Sequence, residues 1–366
     1  MPLDDLDRDR LHQAQALAEH AVGLSDPNPR VGCVIGLADG TVLGQGWTRQ
    51  AGGPHAEVVA LRDAAAQGGR LRGATAWVTL EPCAHHGRTP PCCDALIDAG
   101  VARVVASVAD PFPGVAGAGF ARLRAAGIDV LEAGGVFAEV TRELNIGFFS
   151  RIERGRPWVR MKLAASLDGR TALPDGRSQW ITGEAARRDG HAWRRRAGAV
   201  LTGIGTVLAD NPRLDVREVP TALQPLRVVV DSSGRLPDTA RLLAPPGRVL
   251  LVDAGASKRS LVDAEQLSMP GASGRVDLAA LVTELGRRAV NEVHVEAGAT
   301  LNGALLDARL VDELLVYVAP LLLGDGRPMA VLTPPPSLGT AGRWRRQDVV
   351  EVGDDLRLRL RLAPPA

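Results

Sequence analysis

Short apolar runs that suit β-strands alternate with segments of helical periodicity along most of this chain, and this alternation constrains the fold most. In the first half, the predicted strands are Val31–Leu37, Val42–Gly46, Ala74–Leu80, Arg103–Ser107 and Ile128–Leu131. The predicted helices are Arg10–Ser25, Pro54–Gln67, Pro91–Ala99, Gly119–Ala126 and Val136–Phe149. Strands that alternate with short helices are typical of an α/β sheet covered by helices on both faces.

The same alternation resumes in the second half, after a polar and basic stretch, Ser150–Pro157, that predicts a linker. The predicted strands are Trp158–Ala164, Val200–Thr202, Leu226–Val230, Val249–Val252, Glu292–Glu296, Leu314–Val318 and Asp348–Leu362, and the predicted helices are Glu184–Ala197 and Gly298–Leu306. A length of 366 residues also favours two domains. We therefore expect two α/β domains, residues 1–150 and 151–366.

Composition excludes several classes of partner. The chain carries 43 Lys and Arg against 42 Asp and Glu, and only 3% of its residues are aromatic. Nucleic-acid binders usually have a basic balance and aromatic stacking platforms, so no nucleic-acid partner is expected. The longest apolar candidate, Leu314–Leu323, is too short to cross a bilayer and contains Pro320, and the acidic N-terminus does not resemble a signal peptide. We expect a cytoplasmic protein that acts on small molecules, and a homo-oligomer is compatible with the sequence.

A group of residues with metal-binding chemistry lies in the first half. His55 offers an imidazole, and Cys83 and Cys92 offer thiolates. One imidazole and two thiolates suit Zn²⁺ with its fourth position open to water, which is the catalytic arrangement. Glu57 follows His55 by two residues and is placed to move protons without binding the metal, as in zinc deaminases. Cys92 begins a predicted helix, where a thiolate is favoured, whereas Cys93 is expected to pack inward.

Three other interpretations remain open on these residues alone. A structural zinc site would need a fourth ligand, which His85 or His86 could supply. A zinc-stabilised binding protein would have the same ligands but no turnover. A nucleic-acid base deaminase with an accessory α/β domain would share the zinc chemistry and act on an unstacked base.

The motifs together are specific enough to indicate a family. In the first half, Asp26–Gly32, His55–Glu57 and Glu81–Cys93 resemble the deaminase half of the RibD family of bifunctional riboflavin biosynthesis enzymes. In the second half, the segments that resemble the reductase motifs of this family are Met161–Arg170, Ser178–Thr182, Thr206–Pro212 and Val295–Gly298. The resemblance covers essentially the whole chain in the expected order.

This resemblance implies both a fold and a reaction sequence. The implied fold is an N-terminal cytidine-deaminase-like three-layer αβα domain followed by a C-terminal dihydrofolate-reductase-like α/β domain. The implied substrate is a diaminopyrimidinone that carries a ribosylamino 5′-phosphate. Its 2-amino group is removed with the help of zinc, and NADPH then reduces the ribosyl chain to ribityl.

The resemblance also implies the roles of individual deaminase residues. His55, Cys83 and Cys92 hold zinc, and Glu57 carries the proton from water to departing ammonia. Substrate contacts are implied for Asn28, His85 and Arg88. At Thr48, family members often have His, so one substrate contact of the family is expected to differ here.

For the reductase, the implied residues form three groups. Lys162 is a proton-handling residue, together with Glu296. The implied NADPH contacts are Ala164, Trp180, Thr206, Asp210, Gly298, Ala299, Thr300, Leu301, Asn302, Gly303 and Ala304. The implied substrate contacts are Ser178, Arg194, Leu214, Arg217 and Glu296, in which the two guanidinium groups suit a phosphate.

Overall fold

The computed structural model describes residues 2–84, 90–114, 116–255, 263–271 and 273–363. The chain divides into two compact units, Met1–Arg154 and Gly155–Ala366. The first five residues of the predicted linker are the last turn of a helix that ends at Arg154. In the described part of the chain, no helix is long and apolar enough to cross a membrane.

The first unit contains a five-stranded sheet with helices on both faces. Its strands are β1 (Gly32–Gly36), β2 (Val42–Trp47), β3 (Thr75–Val78), β4 (Arg103–Ala106) and β5 (Asp129–Glu132). Its helices are α1 (Asp5–Glu19), α2 (Ala56–Ala66), α3 (Cys92–Asp98), α4 (Ala118–Ala125), α5 (Gly135–Leu144) and α6 (Ile146–Arg154). The strand order is β2-β1-β3-β4-β5, with β1 antiparallel to both neighbours and the last three strands parallel.

Alternate residues of the strands enter two separate cores, which is why the first unit has three layers. Ile35 and Val78 pack with α2, α3, α4 and α6 on one face. Val34 and Trp77 pack with α1 and α5 on the other. Strands buried on both faces read as continuous apolar runs, and this is the pattern that the sequence shows.

Two predicted helices of the first unit differ from the structure. The first helix begins at Asp5 because Asp4 caps it, with its side chain accepting a hydrogen bond from the backbone N–H of Asp7, and it ends at Glu19. The predicted helix Val136–Phe149 is two helices, because the side chain of Asn145 between them bonds to the backbone of Arg30 on another segment. Apolar periodicity continues across this break and therefore conceals it.

The second unit is built on a nine-stranded sheet. Its main strands are β6 (Trp158–Ser166), β8 (Ala199–Gly203), β9 (Leu226–Val230), β10 (Val249–Asp253), β11 (Glu265–Ser268), β12 (Glu292–Val295), β13 (Glu313–Ala319), β15 (Trp344–Val352) and β16 (Asp355–Leu362). The order is β11-β10-β9-β8-β12-β6-β13-β16-β15, and every pair from β11 to β13 is parallel. Short strands β7 (Arg170–Ala172) and β14 (Arg327–Pro328) form a separate pair.

Four helices accompany this sheet: α7 (Glu184–Arg196), α8 (Ile204–Asp210), α9 (Leu278–Arg287) and α10 (Ala299–Asp307). The prediction of one strand for Asp348–Leu362 was wrong, because the chain turns at Gly353, whose φ of 64° favours glycine, and forms the antiparallel hairpin β15–β16. The sequence analysis also did not predict α9 or the short elements α8, β7, β11 and β14.

Candidate functional site

Three side chains of the first unit come together as a metal-binding group. The donor atoms of His55, Cys83 and Cys92 all lie within 4.8 Å of one another. His55 Nδ1 is 3.7 Å from Cys83 Sγ and 3.3 Å from Cys92 Sγ. A tetrahedral zinc ion, with bonds of about 2.3 Å to sulfur and about 2.0 Å to nitrogen, holds its ligand atoms roughly 3.6 Å apart. The residues present therefore fit zinc.

The local fold explains why these three residues meet. His55 directly precedes α2, which lies close against β2 because Gly44 and Gly46 have no side chains: a Cβ at Gly44 would be 2.3 Å from the carbonyl oxygen of Ala60. Cys83 comes five residues after β3, beyond the carboxyl end of this central strand. Cys92 is the first residue of α3, and its backbone N–H donates to Cys83 Sγ at 3.3 Å.

Protonation within the cluster is coupled through short contacts. The Cys92 thiol donates a hydrogen bond to Cys83, which lowers the pKa of Cys83 to about 4, and the same contact raises the pKa of Cys92. The hydrogen bond with Cys83 also raises the pKa of His55. These contacts favour the thiolate form of Cys83, which is the form that binds a metal ion.

Glu57 lies in the first turn of α2, beside the three donor atoms, and is 3% exposed. Its Oε2 is buried and has no hydrogen-bond partner among the described residues. Burial, reinforced by the charge of Cys83, raises the pKa of Glu57 to about 7. A carboxyl group with a free oxygen and a pKa near neutrality suits proton transfer.

The sequence did not predict the importance of Glu81, which precedes Pro82 and Cys83. Its carboxylate is buried and accepts four backbone hydrogen bonds, from Asp110 and Gly117 on one oxygen and from Gly119 and Phe120 on the other, at 2.9–3.2 Å. Glu81 thereby fixes the segment that carries Cys83 to the start of α4. Its only signal in the sequence was its place beside the Pro-Cys pair.

Among the other residues that the sequence analysis named in the first unit, Asn28, Thr48 and Cys93 lie in the described part of the chain. Asn28 lies in the loop before β1, at the same edge of the sheet as the segment after β3, because these two strands are antiparallel. His85 and Arg88, and with them His86, lie outside the described residues. Cys93 packs inward as expected, fully buried, with its Sγ donating to the carbonyl of Pro82. Thr48 is buried, and its Oγ1 accepts a hydrogen bond from Val31 N–H at 3.3 Å.

The second unit contains a cavity of about 1440 Å³ at the carboxyl ends of its parallel strands. Open α/β sheets bind their ligands at this edge, and the volume exceeds the roughly 300–1,000 Å³ of ordinary single-ligand pockets. All but one of the predicted reductase residues line it: Lys162, Ala164, Ser178, Trp180, Arg194, Thr206, Asp210, Leu214, Arg217, Glu296, Gly298, Ala299, Thr300, Leu301, Asn302 and Ala304.

Gly303 is the exception. A Cβ at Gly303 would lie 1.8 Å from the carbonyl oxygen of Val331, so this glycine allows α10 to pack against a neighbouring segment. Leu214 lines the cavity although its side chain is 2% exposed and packs in the core. Its φ of 55° is left-handed, a conformation that is uncommon for a branched residue and that often marks functional sites.

Charged groups are concentrated in the cavity wall formed by β6, β12 and α7. The guanidinium group of Arg194 binds both carboxylate oxygens of Glu296 and also donates to the carbonyl of Asp215. Burial opposes ionisation of Glu296, but Arg194 outweighs it and holds the pKa of Glu296 well below its usual range. Burial lowers the pKa of Lys162, an effect that Glu296 opposes and Arg194 reinforces.

Several residues that line the cavity were missed in the sequence. His191 is buried; its Nδ1 accepts from Arg217 N–H at 3.4 Å, and burial together with Arg194 lowers its pKa to about 4. Other lining residues lie outside the predicted motifs: Arg187 in α7, Arg327 in β14, and Ser232, Ser233, Arg235, Arg241, Arg275 and Met329 in connecting segments. Of these, only Ser232 and Ser233 carried a positional signal, because they come directly after β9 and the buried Asp231, at the carboxyl end of a parallel strand, where such sheets bind ligands.

Comparison with known proteins finds a family match for each half of the chain. Residues 5–108 match the family of the cytidine and deoxycytidylate deaminase zinc-binding region, and residues 157–358 match the RibD C-terminal domain. The chain is 47% identical to the riboflavin biosynthesis protein RibD of Escherichia coli K12, with 96% of this chain and 99% of the relative covered. The chain belongs to the RibD family.

Solved structures of the RibD family support this assignment. Acinetobacter baumannii RibD is 43% identical with a TM-score of 0.90, and the match covers 98% of this chain and 99% of that one. A diaminohydroxyphosphoribosylaminopyrimidine deaminase/5-amino-6-(5-phosphoribosylamino)uracil reductase from Thermotoga maritima is 31% identical with a TM-score of 0.87, over 98% and 99% of the two chains.

Membership of the RibD family confirms the predicted fold class: a cytidine-deaminase-like domain precedes a dihydrofolate-reductase-like domain. The chain is a bifunctional deaminase and reductase of riboflavin biosynthesis. The predicted cofactors, zinc and NADPH, are confirmed as those of the two activities. It is an enzyme that acts on small molecules.

Proposed function

We propose that residues 1–150 carry the deaminase and residues 151–366 the reductase, and that His55, Cys83 and Cys92 hold the zinc ion. The observation that carries the deaminase assignment is the geometry of the cluster: three donor atoms lie within 4.8 Å of one another beside a buried carboxylate oxygen of Glu57 that has no hydrogen-bond partner among the described residues. A structural zinc site has no need of such a carboxylate. We propose the diaminopyrimidinone with a ribosylamino 5′-phosphate as the substrate.

The chemistry of the deamination follows from the zinc-binding residues and from Glu57 beside them. Zinc, when bound, lowers the pKa of water from about 15.7 to about 7 and so makes a nucleophile available at neutral pH. Glu57 accepts the proton as the water oxygen bonds to the ring carbon that bears the 2-amino group. Glu57 gives this proton to the ring nitrogen whose double bond to that carbon has opened, and it then carries the proton of the new hydroxyl group to the amine, which leaves as ammonia while the carbonyl forms. Asn28, His85 and Arg88 are the proposed substrate contacts of this step.

In the second unit, the cavity wall orients the deaminated product against the cofactor. NADPH, when bound, would supply the hydride that C1′ of the ribosyl group receives as its bond to the ring oxygen breaks, and this oxygen then needs a proton. Lys162 supplies that proton, and Glu296 and Arg194 hold the polar substrate beside it. Ser178, Leu214 and Arg217 complete the proposed substrate contacts.

The cofactor contacts are proposed for the residues that line the opposite part of the cavity. The N–H groups at the start of α10, from Ala299 onward, suit a phosphate of the dinucleotide because the helix dipole favours an anion there. Ala164, Trp180, Thr206 and Asp210 contribute from three other segments of the same edge. Gly303 acts through the packing of α10.

We also propose that the protein is cytoplasmic and has no nucleic-acid partner. The balance of 43 basic against 42 acidic residues supports the second point, since sequence-independent binding to phosphates requires a basic surface. A homo-oligomer is compatible with this function, and sedimentation velocity measures the oligomeric state.

The variant Glu57→Gln tests the proposed deaminase mechanism. We expect it to retain zinc, because the ligands are unchanged, and to lose ammonia release by at least about a hundredfold, because the proton carrier is gone. Zinc content by atomic absorption and ammonia production are measured on the same sample. The control is Glu19→Gln, which changes an exposed glutamate of the same unit.

Full ammonia production by Glu57→Gln would refute the role of Glu57. The diaminopyrimidinone phosphate is supplied with and without NADPH, and ammonia and NADPH absorbance are followed separately. Ammonia release in both conditions, with NADPH oxidation only after deamination, supports the proposed order of reactions. A protein that only binds zinc would produce neither signal.

A further inference from the structure

A completely buried tyrosine, Tyr317 of β13, packs beside Lys162 of β6 without lining the cavity itself. The Nζ atom of Lys162 lies over the face of the Tyr317 ring, 5.6 Å from the ring centroid. We propose that Tyr317 is a positioning residue for the reduction: its ring face stabilises the protonated ammonium group of Lys162 and keeps this group at the cavity wall. This inference rests on the proposed role of Lys162 as the proton donor.

The sheet itself brings the ring and the ammonium group together. The strands β6 and β13 are parallel neighbours, and Lys162 is paired with Leu315, two residues before Tyr317. Alternate residues of a strand point to the same face of a sheet, so Leu315 and Tyr317 share the face of Lys162. Both pack there against Ala186 of α7. The contact therefore depends on strand register and helix packing, and no loop is needed to form it.

The far end of the Tyr317 ring is fixed by a buried polar contact. Its hydroxyl donates a hydrogen bond to Asp189 Oδ2 at 2.6 Å. Arg357 donates to both oxygens of the same carboxylate, at 3.0 and 3.2 Å. Burial and the charge of Asp189 raise the pKa of Tyr317, so the phenol stays neutral. Because the hydroxyl is already engaged, the ring face is the part of Tyr317 that serves Lys162.

The charged groups around Lys162 leave its ammonium group without another close partner. Among the described residues, this group forms no hydrogen bond and no ion pair. Glu296 attracts it from β12, but Arg194 of α7 binds both oxygens of that carboxylate. His294 of β12 is neutral, because burial lowers its pKa to about 3, and Arg160 of β6 is paired with two other glutamates. A ring face attracts a cation most strongly where water is excluded.

The test separates the ring of Tyr317 from its hydroxyl. The variants Tyr317→Phe, Tyr317→Leu and Tyr317→Met all lack the hydroxyl, and only the first keeps the ring. The maximal rate and the KM of reduction are measured from pH 6 to pH 10 with the deaminated substrate. Ammonia release is the internal control, because it is proposed for the other unit, and circular dichroism checks that each variant is folded.

We expect Tyr317→Phe to keep the alkaline decline of the rate at the pH found for the unmodified enzyme. In Tyr317→Leu and Tyr317→Met, the ammonium group loses the ring and releases its proton more easily. The midpoint of the decline should therefore move to lower pH by at least about half a unit, and the maximal rate should fall about tenfold. The KM should stay within about twofold, since Tyr317 does not line the cavity.

A second series tests the ring face without changing its shape. Phenylalanine that carries one, two or three ring fluorines is placed at position 317. Fluorine withdraws electron density from the ring face and so weakens its attraction for a cation. The midpoint of the alkaline decline should therefore move to lower pH with each added fluorine. This series decides the question if the two aliphatic variants do not fold.

The background variant Lys162→Met shows whether Tyr317 acts through Lys162. In this background, Tyr317→Leu and Tyr317→Phe should reduce the substrate at the same rate, because the ring has no cation to hold. Different rates in this background would mean that the ring acts on another group, and would overturn the inference.

Two further results overturn the inference, and they have different meanings. If the alkaline decline stays at the same pH in the folded aliphatic variants, or across the fluorinated series, the ring does not hold Lys162, although Lys162 remains the proton donor. If Lys162→Met reduces the substrate at the normal rate, the proposed proton donor is wrong, and the inference fails with it.

Discussion

At the scale of single residues, Asp7 is a buried charge of the first unit that hydrogen bonds hold in its ionised form. Asp7 in α1 is 1% exposed, and its two oxygens bind Arg103 at 2.7 and 2.8 Å. Trp77 donates to the same carboxylate at 2.8 Å. Burial alone would raise the pKa of Asp7, but the hydrogen bonds from Arg103 and Trp77 outweigh it and keep this pKa below its ordinary value.

We predict that Asp7→Asn lowers the free energy of unfolding by about 3 kcal/mol at neutral pH, because it leaves Arg103 partly buried without its partner. A pKa lowered by folding stabilises the protein above the ordinary Asp value and ceases to do so as the pH falls through the folded value. The difference in the free energy of unfolding between the unmodified protein and Asp7→Asn should therefore shrink below about pH 4.

Urea unfolding between pH 7 and pH 3 measures this difference. Asp9→Asn changes an exposed aspartate of the same helix and should have little effect. An Asp7→Asn variant as stable as the unmodified enzyme at pH 7 would show that the ion pair contributes nothing.

Lys162 gives a prediction of pH dependence for the reductase. Burial lowers its pKa from the usual 10.5. A lysine that donates a proton is active while protonated, so the reduction rate should fall as the pH rises through this lowered value. The maximal rate with the deaminated substrate, measured from pH 6 to pH 10, should therefore begin to decline at a lower pH than it would if Lys162 had the pKa of an ordinary lysine.

In Lys162→Met, the rate should be at least about a hundredfold lower and the alkaline decline should disappear. Ammonia release by the same variant serves as the internal control, because it is proposed for the other unit. An unchanged alkaline decline would mean that another group supplies the proton.

At the scale of elements, the segment from β3 to α3 depends on Glu81. Its buried carboxylate accepts four backbone hydrogen bonds from the segment between Asp110 and Phe120. We predict that Glu81→Gln destabilises the protein by about 3 kcal/mol, because an amide has one acceptor oxygen for four donors. Zinc should also dissociate faster, because Cys83 is no longer fixed.

Chemical denaturation and the rate of zinc transfer to a chelator measure these two effects. The matched control is Glu132→Gln, since Glu132 is exposed and accepts one hydrogen bond, from Ala109 at 3.2 Å. If Glu81→Gln had normal stability and normal zinc release, Glu81 would not position Cys83.

The sequence predicted the elements that have strong periodicity and failed where tertiary contacts decide. Both sheets were predicted because their strands are apolar runs buried on both faces, as Val34 and Ile35 show. The break at Asn145 depends on Arg30, which is 115 residues away, and no local pattern records it. The short strands β7, β11 and β14 form only through pairing with other segments.

The residues of the candidate sites also divide into those that the sequence predicted and those that depend on tertiary contacts. The metal-binding residues were predicted because an imidazole and two thiols show their chemistry in the sequence, although His55 is 28 and 37 residues away from the two cysteines. Glu81 was missed because its partners, 29 to 39 residues away, are backbone N–H groups, which no side chain marks in the sequence. Arg235 and Arg241 in the connection between β9 and β10, and Arg275 in the connection between β11 and α9, were missed because only the sheet brings these two segments to one cavity.

At the scale of the whole molecule, the account requires two chemically independent sites on one chain. The donor cluster lies in the unit Met1–Arg154 and the large cavity in the unit Gly155–Ala366. Damage to one site should therefore leave the chemistry of the other intact. Cys83→Ser removes one proposed zinc ligand, and Cys93→Ser is its control, since Cys93 is a buried thiol that donates to the backbone carbonyls of Pro82 and Gly119.

The most direct measurement follows ammonia release and NADPH oxidation by Cys83→Ser, with the diaminopyrimidinone phosphate and with its deaminated product as separate substrates. We predict no measurable ammonia from the first substrate, and NADPH oxidation with the second at the rate of the unmodified enzyme. Ammonia release at the normal rate would contradict the zinc site, and loss of both activities in a folded, NADPH-binding variant would contradict the independence of the two sites.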